Sequence, residues 1–161
     1  MLPKQIRTGL LSLLLVSTSA LAVDRMPSHD HHKPSIGLHL NQGQRWATDA
    51  PLRQGMSNVR EALILAVHAD TTHPLSAAEA DKLADAIRTQ ADYLVANCVL
   101  APEADAVLHV LLGQLLEGAE SLRLKPTDEA GLHNIITALK DYPAYFKHEG
   151  WKPVTTTTPV P

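Results

Sequence analysis

The chain has 161 residues, with 14 Lys and Arg against 17 Asp and Glu and a formal charge of −3. That length suits one domain with a modest core, and the absence of a basic patch argues against nucleic-acid binding. The single cysteine, Cys98, excludes an intramolecular disulfide, so it is buried and inert, paired with another chain, or kept as a thiolate for chemistry or metal.

Lys4 and Arg7 form a short positive region ahead of an apolar stretch from Gly9 to Leu21, and Ala20-Leu21-Ala22 places small residues as a signal peptidase requires. The run falls short of the roughly 20 residues of a membrane span. Residues 1–22 are therefore expected to be a signal peptide cut after Ala22. With Lys4 and Arg7 gone, 12 basic side chains face 17 acidic ones. No later stretch is apolar enough to cross a membrane, so the expected product is soluble, periplasmic and free of the membrane.

Residues 23–50 read as an extended arm, broken by Pro27, Pro34, Gly37 and Gly43, with Trp46 and Leu38-His39-Leu40 able to dock it. A first helix is predicted from Pro51 to Asp70, with Asp49 as N-cap and an apolar stripe of Met56, Val59, Leu63, Ala66 and Val67. A second opens at the capping-box pattern Ser76-Ala77-Ala78-Glu79 and carries Leu83, Ile87, Ala91 and Leu94 to Cys98 at helical spacing. A third starts at Pro102, where proline suits the first turn and Glu103 and Asp105 suit the helix dipole; Leu108, Leu111, Leu112, Leu115, Leu116 and Ala119 follow. A fourth begins after Pro126 with Leu132, Ile135, Ile136, Leu139, Tyr142, Tyr145 and Phe146 on its stripe. Pro143 is expected to kink it, Gly150 and Pro153 to end it. Residues 153–161, rich in Thr and Pro, read as a disordered tail.

No segment alternates long enough to read as a strand. Short connections force antiparallel neighbours, so the predicted fold is all-α, an up-down-up-down four-helix bundle over residues 51–152. In that topology the start of helix 1, the end of helix 2, the start of helix 3 and the end of helix 4 share one end. Met56, Cys98, His109 and His148 all lie toward it. With about 1.5 Å of rise per residue, His109 sits roughly 9–10 Å from its helix start and Met56 roughly 6–8 Å from its own.

A thiolate, two imidazoles and a thioether are the donor set copper favours in electron-transfer sites. Asp105, four residues before His109, is placed to accept that ring's second proton, and Trp46, Phe146 and Trp151 to roof the site. The structural alternative makes Met56 and Cys98 core residues, His109 a partner of Asp105, and His148 a helix-end cation. Met56 and His148 are also a possible axial pair for haem b; without Cys-x-x-Cys-His the haem would be non-covalent.

The His29, His31 and His32 tract of the arm reads as a solvated linker or a loose metal trap. His68, His73 and His133 fall near the opposite end, where zinc is an alternative that no fixed spacing supports. Catalytic patterns are thin: neither a phosphate loop nor a nucleophile elbow is present. A thiolate–imidazole pair of Cys98 with His109 or His148 has no evident substrate pocket, so no enzyme activity is expected.

The runs Leu40-Asn41-Gln42-Gly43, Trp46-Ala47-Thr48-Asp49, Pro51-Leu52-Arg53-Gln54-Gly55-Met56, Asn97-Cys98-Val99-Leu100-Ala101-Pro102, Ala104-Asp105, Leu108-His109 and His148-Glu149-Gly150-Trp151 resemble small exported bacterial proteins labelled DnrO. The resemblance covers about residues 40–153 and implies contexts related to denitrification or metals, without an established activity. It places Met56, Cys98, His109 and His148 within the family's motifs; the copper assignment rests on ligand chemistry and topology. The leading expectation is a periplasmic copper-binding bundle that carries copper or electrons, with a metal ion and a periplasmic redox protein as partners. The competing one is a metal-free accessory module for a redox enzyme or its assembly.

Overall fold

A computed structural model of the protein describes residues 37–68, 74–127 and 129–155. The expected signal peptide, the His29, His31 and His32 tract, His73, the side chain of His68 and residues 156–161 lie outside the described residues. Four helices make up most of the rest: α1 (Ala50–His68), α2 (Ala77–Asn97), α3 (Pro102–Leu124) and α4 (Glu129–Tyr145). This is the all-α four-helix bundle the periodicity predicts, and no described helix is long and apolar enough to cross a membrane.

The helix ends follow from their capping chemistry. Asp49 Oδ1 accepts the Leu52 N–H at 2.8 Å, satisfying a donor that the first turn of α1 leaves orphaned. At α2 the capping box is complete: Glu79 N–H donates to Ser76 Oγ, and Ser76 N–H donates to Glu79 Oε2 at 2.8 Å. Pro102 opens α3 after an uncapped Ala101, a position where its missing N–H costs nothing.

The stripes meet in one core. Met56, Val59, Leu63, Leu83, Ile87, Leu94, Leu108, Leu111, Leu115, Ile135, Leu139 and Tyr142 are all buried. Helix α1 packs on α2, α2 on α3 and α3 on α4, whereas α1 and α4 approach each other less closely. The α3–α4 crossing is tight because glycines face each other there: a Cβ on Gly118 would meet the Gly131 carbonyl oxygen at 2.8 Å, and one on Gly131 would meet that of Gly118 at the same distance.

Three expectations need correction. The chain does contain strand: β1 (Trp46–Ala47) pairs in parallel with β2 (Phe146–Lys147), Trp46 opposite Phe146. Two residues per strand are too few to produce a period-two pattern, and Phe146, expected on the α4 stripe, is fully buried in β2 instead. Pro143 explains the switch, since it lacks the N–H that would hold the last turn; α4 runs only two residues past it.

Second, the arm is structured from Gly37. Asn41 and Gln44 exchange backbone hydrogen bonds of 2.8 Å across Gln42 and Gly43, whose φ angles of 49° and 83° are those a tight I′-type turn demands. Trp46 docks the arm as expected, buried with the core and opposite Phe146, while its indole N–H donates to the arm's own His39 carbonyl at 2.8 Å. Third, Val154 is only 8% exposed, so the first residues assigned to the tail are seated on the bundle.

Candidate functional site

The end of the bundle that carries the arm is assembled around Asp49, Arg53 and Tyr142. Asp49 uses both carboxylate oxygens. Oδ1 caps α1, and Oδ2 accepts the Val99 N–H at 2.7 Å, so one side chain ties the start of α1 to the α2–α3 connection. Arg53, one turn into α1, donates from Nη1 to the Thr48 carbonyl at 2.7 Å and to Thr48 Oγ1 at 3.1 Å. Thr48 Oγ1 in turn donates to the Lys147 carbonyl at 3.0 Å, and Arg45 reaches the Pro143 carbonyl. The arm is thereby stitched to both α1 and the end of α4.

Tyr142 is fully buried and lies between the remaining functional candidates. Its hydroxyl is 3.0 Å from His148 Nδ1. Burial, opposed by the Arg53 guanidinium, pushes the phenol far up, so the hydroxyl stays protonated beside His148 Nδ1. Around the ring stand Phe146, stacked with centroids 5.4 Å apart, and Trp151, edge-on at 4.8 Å; Trp151 also lies 5.2 Å from His148. Partial burial and then the Arg53 guanidinium hold His148 below its ordinary value, because both disfavour a second positive charge.

Cys98 ends α2 with its backbone N–H on the Leu94 carbonyl at 2.9 Å. Its thiol is half-buried and pushed up to about 11, first by desolvation and then by the negative charges of Asp49 and Asp105. His109 is exposed on α3, with Nδ1 2.9 Å from the Asp105 carbonyl and 3.4 Å from the Asp105 carboxylate. Asp105 therefore does orient that ring, as expected, but mainly through its backbone oxygen.

The four expected donors do not form one cluster. Met56 is fully buried in the core, which suits neither a thioether ligand nor an axial haem ligand without repacking. His109 finds its polar contacts within its own helix. His148 meets Tyr142 through that residue's hydroxyl. Among the described residues no three His, Cys, Asp or Glu side chains are grouped to hold a metal ion. At the opposite end His133 is exposed.

Two surface features flank this end. An open depression of about 390 Å³ has Arg53, Ser57, Asn58 and His148 among its walls. A groove of about 270 Å³ runs between the arm, at Asn41, Trp46 and Ala47, and the α2–α3 connection at Val99, Leu100 and Ala101. Val99 is 86% exposed at its rim. Residue spacing showed neither Arg53 nor Tyr142 as functional; of the two Asp49 bonds the cap to Leu52 is local, whereas the one to Val99 spans 50 residues of sequence and leaves no local signature.

No protein-family model, curated protein or solved structure matches this chain.

Proposed function

We propose that the chain is an exported, non-enzymatic interaction module of the periplasm, accessory to a redox enzyme or its assembly, that docks an extended apolar segment of its partner in the groove beside Val99. One observation carries this reading. Val99 holds an apolar side chain in water on a backbone fixed by the Asp49 carboxylate, although burying a valine is worth about 1.5–3 kcal/mol. Leu65, Val95 and Leu124 are also exposed; Val99 differs in standing beside the groove that Trp46, Ala47, Leu100 and Ala101 help to line, which gives an extended segment an apolar seat.

The test places a photo-crosslinking residue at Ala101 in the exported chain, with and without Val99→Asp. A crosslink to one periplasmic redox or assembly protein, lost with Val99→Asp but kept with the distant surface change Leu65→Asp, is the expected result. The N-terminus of the isolated protein should be Val23. An intense visible copper–thiolate band at one equivalent of copper, absent from Cys98→Ser, would overturn this reading in favour of a copper carrier. A Soret band would do so in favour of haem b.

A further inference from the structure

Because α1 and α4 approach less closely than the other neighbouring helices, something else must cover the seam between them, and the residues after β2 do so. Trp151 packs on Tyr142 of α4. Arg60 of α1 donates from Nη2 to the Pro153 carbonyl at 3.4 Å. Val154 is buried with the core, whereas Lys152, Pro153 and Thr155 face solvent. The segment thus inserts an aromatic and, three residues later, a β-branched side chain, and offers a carbonyl between them.

The hold is incomplete. Residues 151–155 belong to neither helix nor strand. Their entry is a turn at Gly150 with φ of 80°, closed by a Trp151 N–H to His148 carbonyl bond of 3.3 Å. Two buried donors at this seam, Trp151 Nε1 and Arg60 Nε, have no acceptor, which is costly wherever water is excluded. A different peptide in the same place displaces Trp151 and its unpaired indole, and can offer Arg60 Nε an acceptor.

We propose that the α1–α4 seam is a binding groove for an extended peptide segment, occupied in this structure by the chain's own Trp151–Val154 as a displaceable strap. The ligand it takes is the kind the strap itself displays: an aromatic residue, a backbone carbonyl for Arg60 and a β-branched residue three positions after the aromatic. A segment of that chemistry in a partner protein competes with the strap, so the bound and free forms differ in whether residues 151–155 are seated. This inference does not rest on the groove beside Val99.

The experiment uses the full mature chain carrying Val154→Cys in a Cys98→Ser background, with its fold checked by circular dichroism. Thiol labelling is followed at urea concentrations below the unfolding transition, with and without the synthetic peptide Gly-Trp-Lys-Pro-Val-Thr. The peptide is used at about millimolar concentration, to match the effective concentration of a short tether. Labelling through local opening, insensitive to urea and accelerated severalfold and saturably by the peptide but not by its Trp→Ala form, is expected. Labelling that follows global unfolding, or that ignores the peptide, overturns the proposal. Should Val154→Cys fail to fold, Trp46→Phe leaves Trp151 as sole reporter. A strap peptide with Phe for Trp should then red-shift its emission, and an unmoved spectrum counts against the groove.

Discussion

Asp49 offers the sharpest perturbation, because one carboxylate holds two backbone N–H groups and also acts on Cys98. In Asp49→Asn the side-chain oxygen can keep the Leu52 bond, but the amide group then presents a donor to the Val99 N–H. Losing that charge-assisted bond at a half-exposed site should cost about 1–2 kcal/mol, and Asp49→Ala should add about 1 kcal/mol for the lost cap. Each kcal/mol moves the thermal midpoint by roughly 3–6 °C in a domain of this size. Meanwhile the Cys98 thiol, now pushed up to about 11, should titrate lower, since the leading charge acting on it is gone while burial and Asp105 remain. The variant is thus expected to be less stable yet more readily alkylated. The pH profile of Cys98 labelling, read where the rate does not respond to urea, separates this shift from mere unfolding. A profile that stays put, or moves up, in a folded Asp49→Asn protein would refute the electrostatic account of Cys98.

Three further outcomes are expected. Gly118→Ala and Gly131→Ala should each destabilise by about 1–3 kcal/mol through overpacking against backbone, outweighing the roughly 1 kcal/mol that alanine gains over glycine in helix propensity; urea midpoints decide the sign. Met56→Ala should cost about 2–5 kcal/mol and Met56→Leu under about 1.5 kcal/mol, with metal uptake measured on Met56→Leu unchanged from the parent, as a core residue requires. His148 should titrate below its ordinary 6.5 by NMR. A depressed histidine contributes stability that is present above that ordinary value and is lost as pH falls toward the folded value. Arg53→Met should raise the His148 value and narrow the interval over which stability is lost.

The bundle was legible because its signals are local. The three-and-four spacing of Leu83, Ile87, Ala91 and Leu94 needs only one helix to be meaningful, and all four are buried. The Ser76–Glu79 box and the Asp49 cap are likewise contained within a few residues. What was illegible joins distant segments through single contacts. The β1–β2 pair is two residues long on each side, and the Tyr142 hydroxyl meets His148 only because the chain has already left α4 through β2. Val154 looked like tail because Thr and Pro surround it, although its own side chain is apolar and finds a place.

The candidate site shows where topology stops being informative. Knowing that helices alternate in direction fixes which residues share an end of the bundle, and Met56, Cys98, His109 and His148 do lie toward one end. A metal site needs the side chains to converge, and that depends on the rotation of each helix about its own axis. The apolar stripes set that rotation. Met56 is on the α1 stripe and therefore points into the core, whereas His109 follows Leu108 on α3 and is turned outward by the rotation that buries Leu108, Leu111 and Leu112. The burial that stabilises the bundle thus separates two of the four donors. The same reasoning turns attention to residues freed from helical constraint: Val99 in the α2–α3 connection and Trp151 in the closing segment, which can place side chains wherever the surface, and a partner, require them.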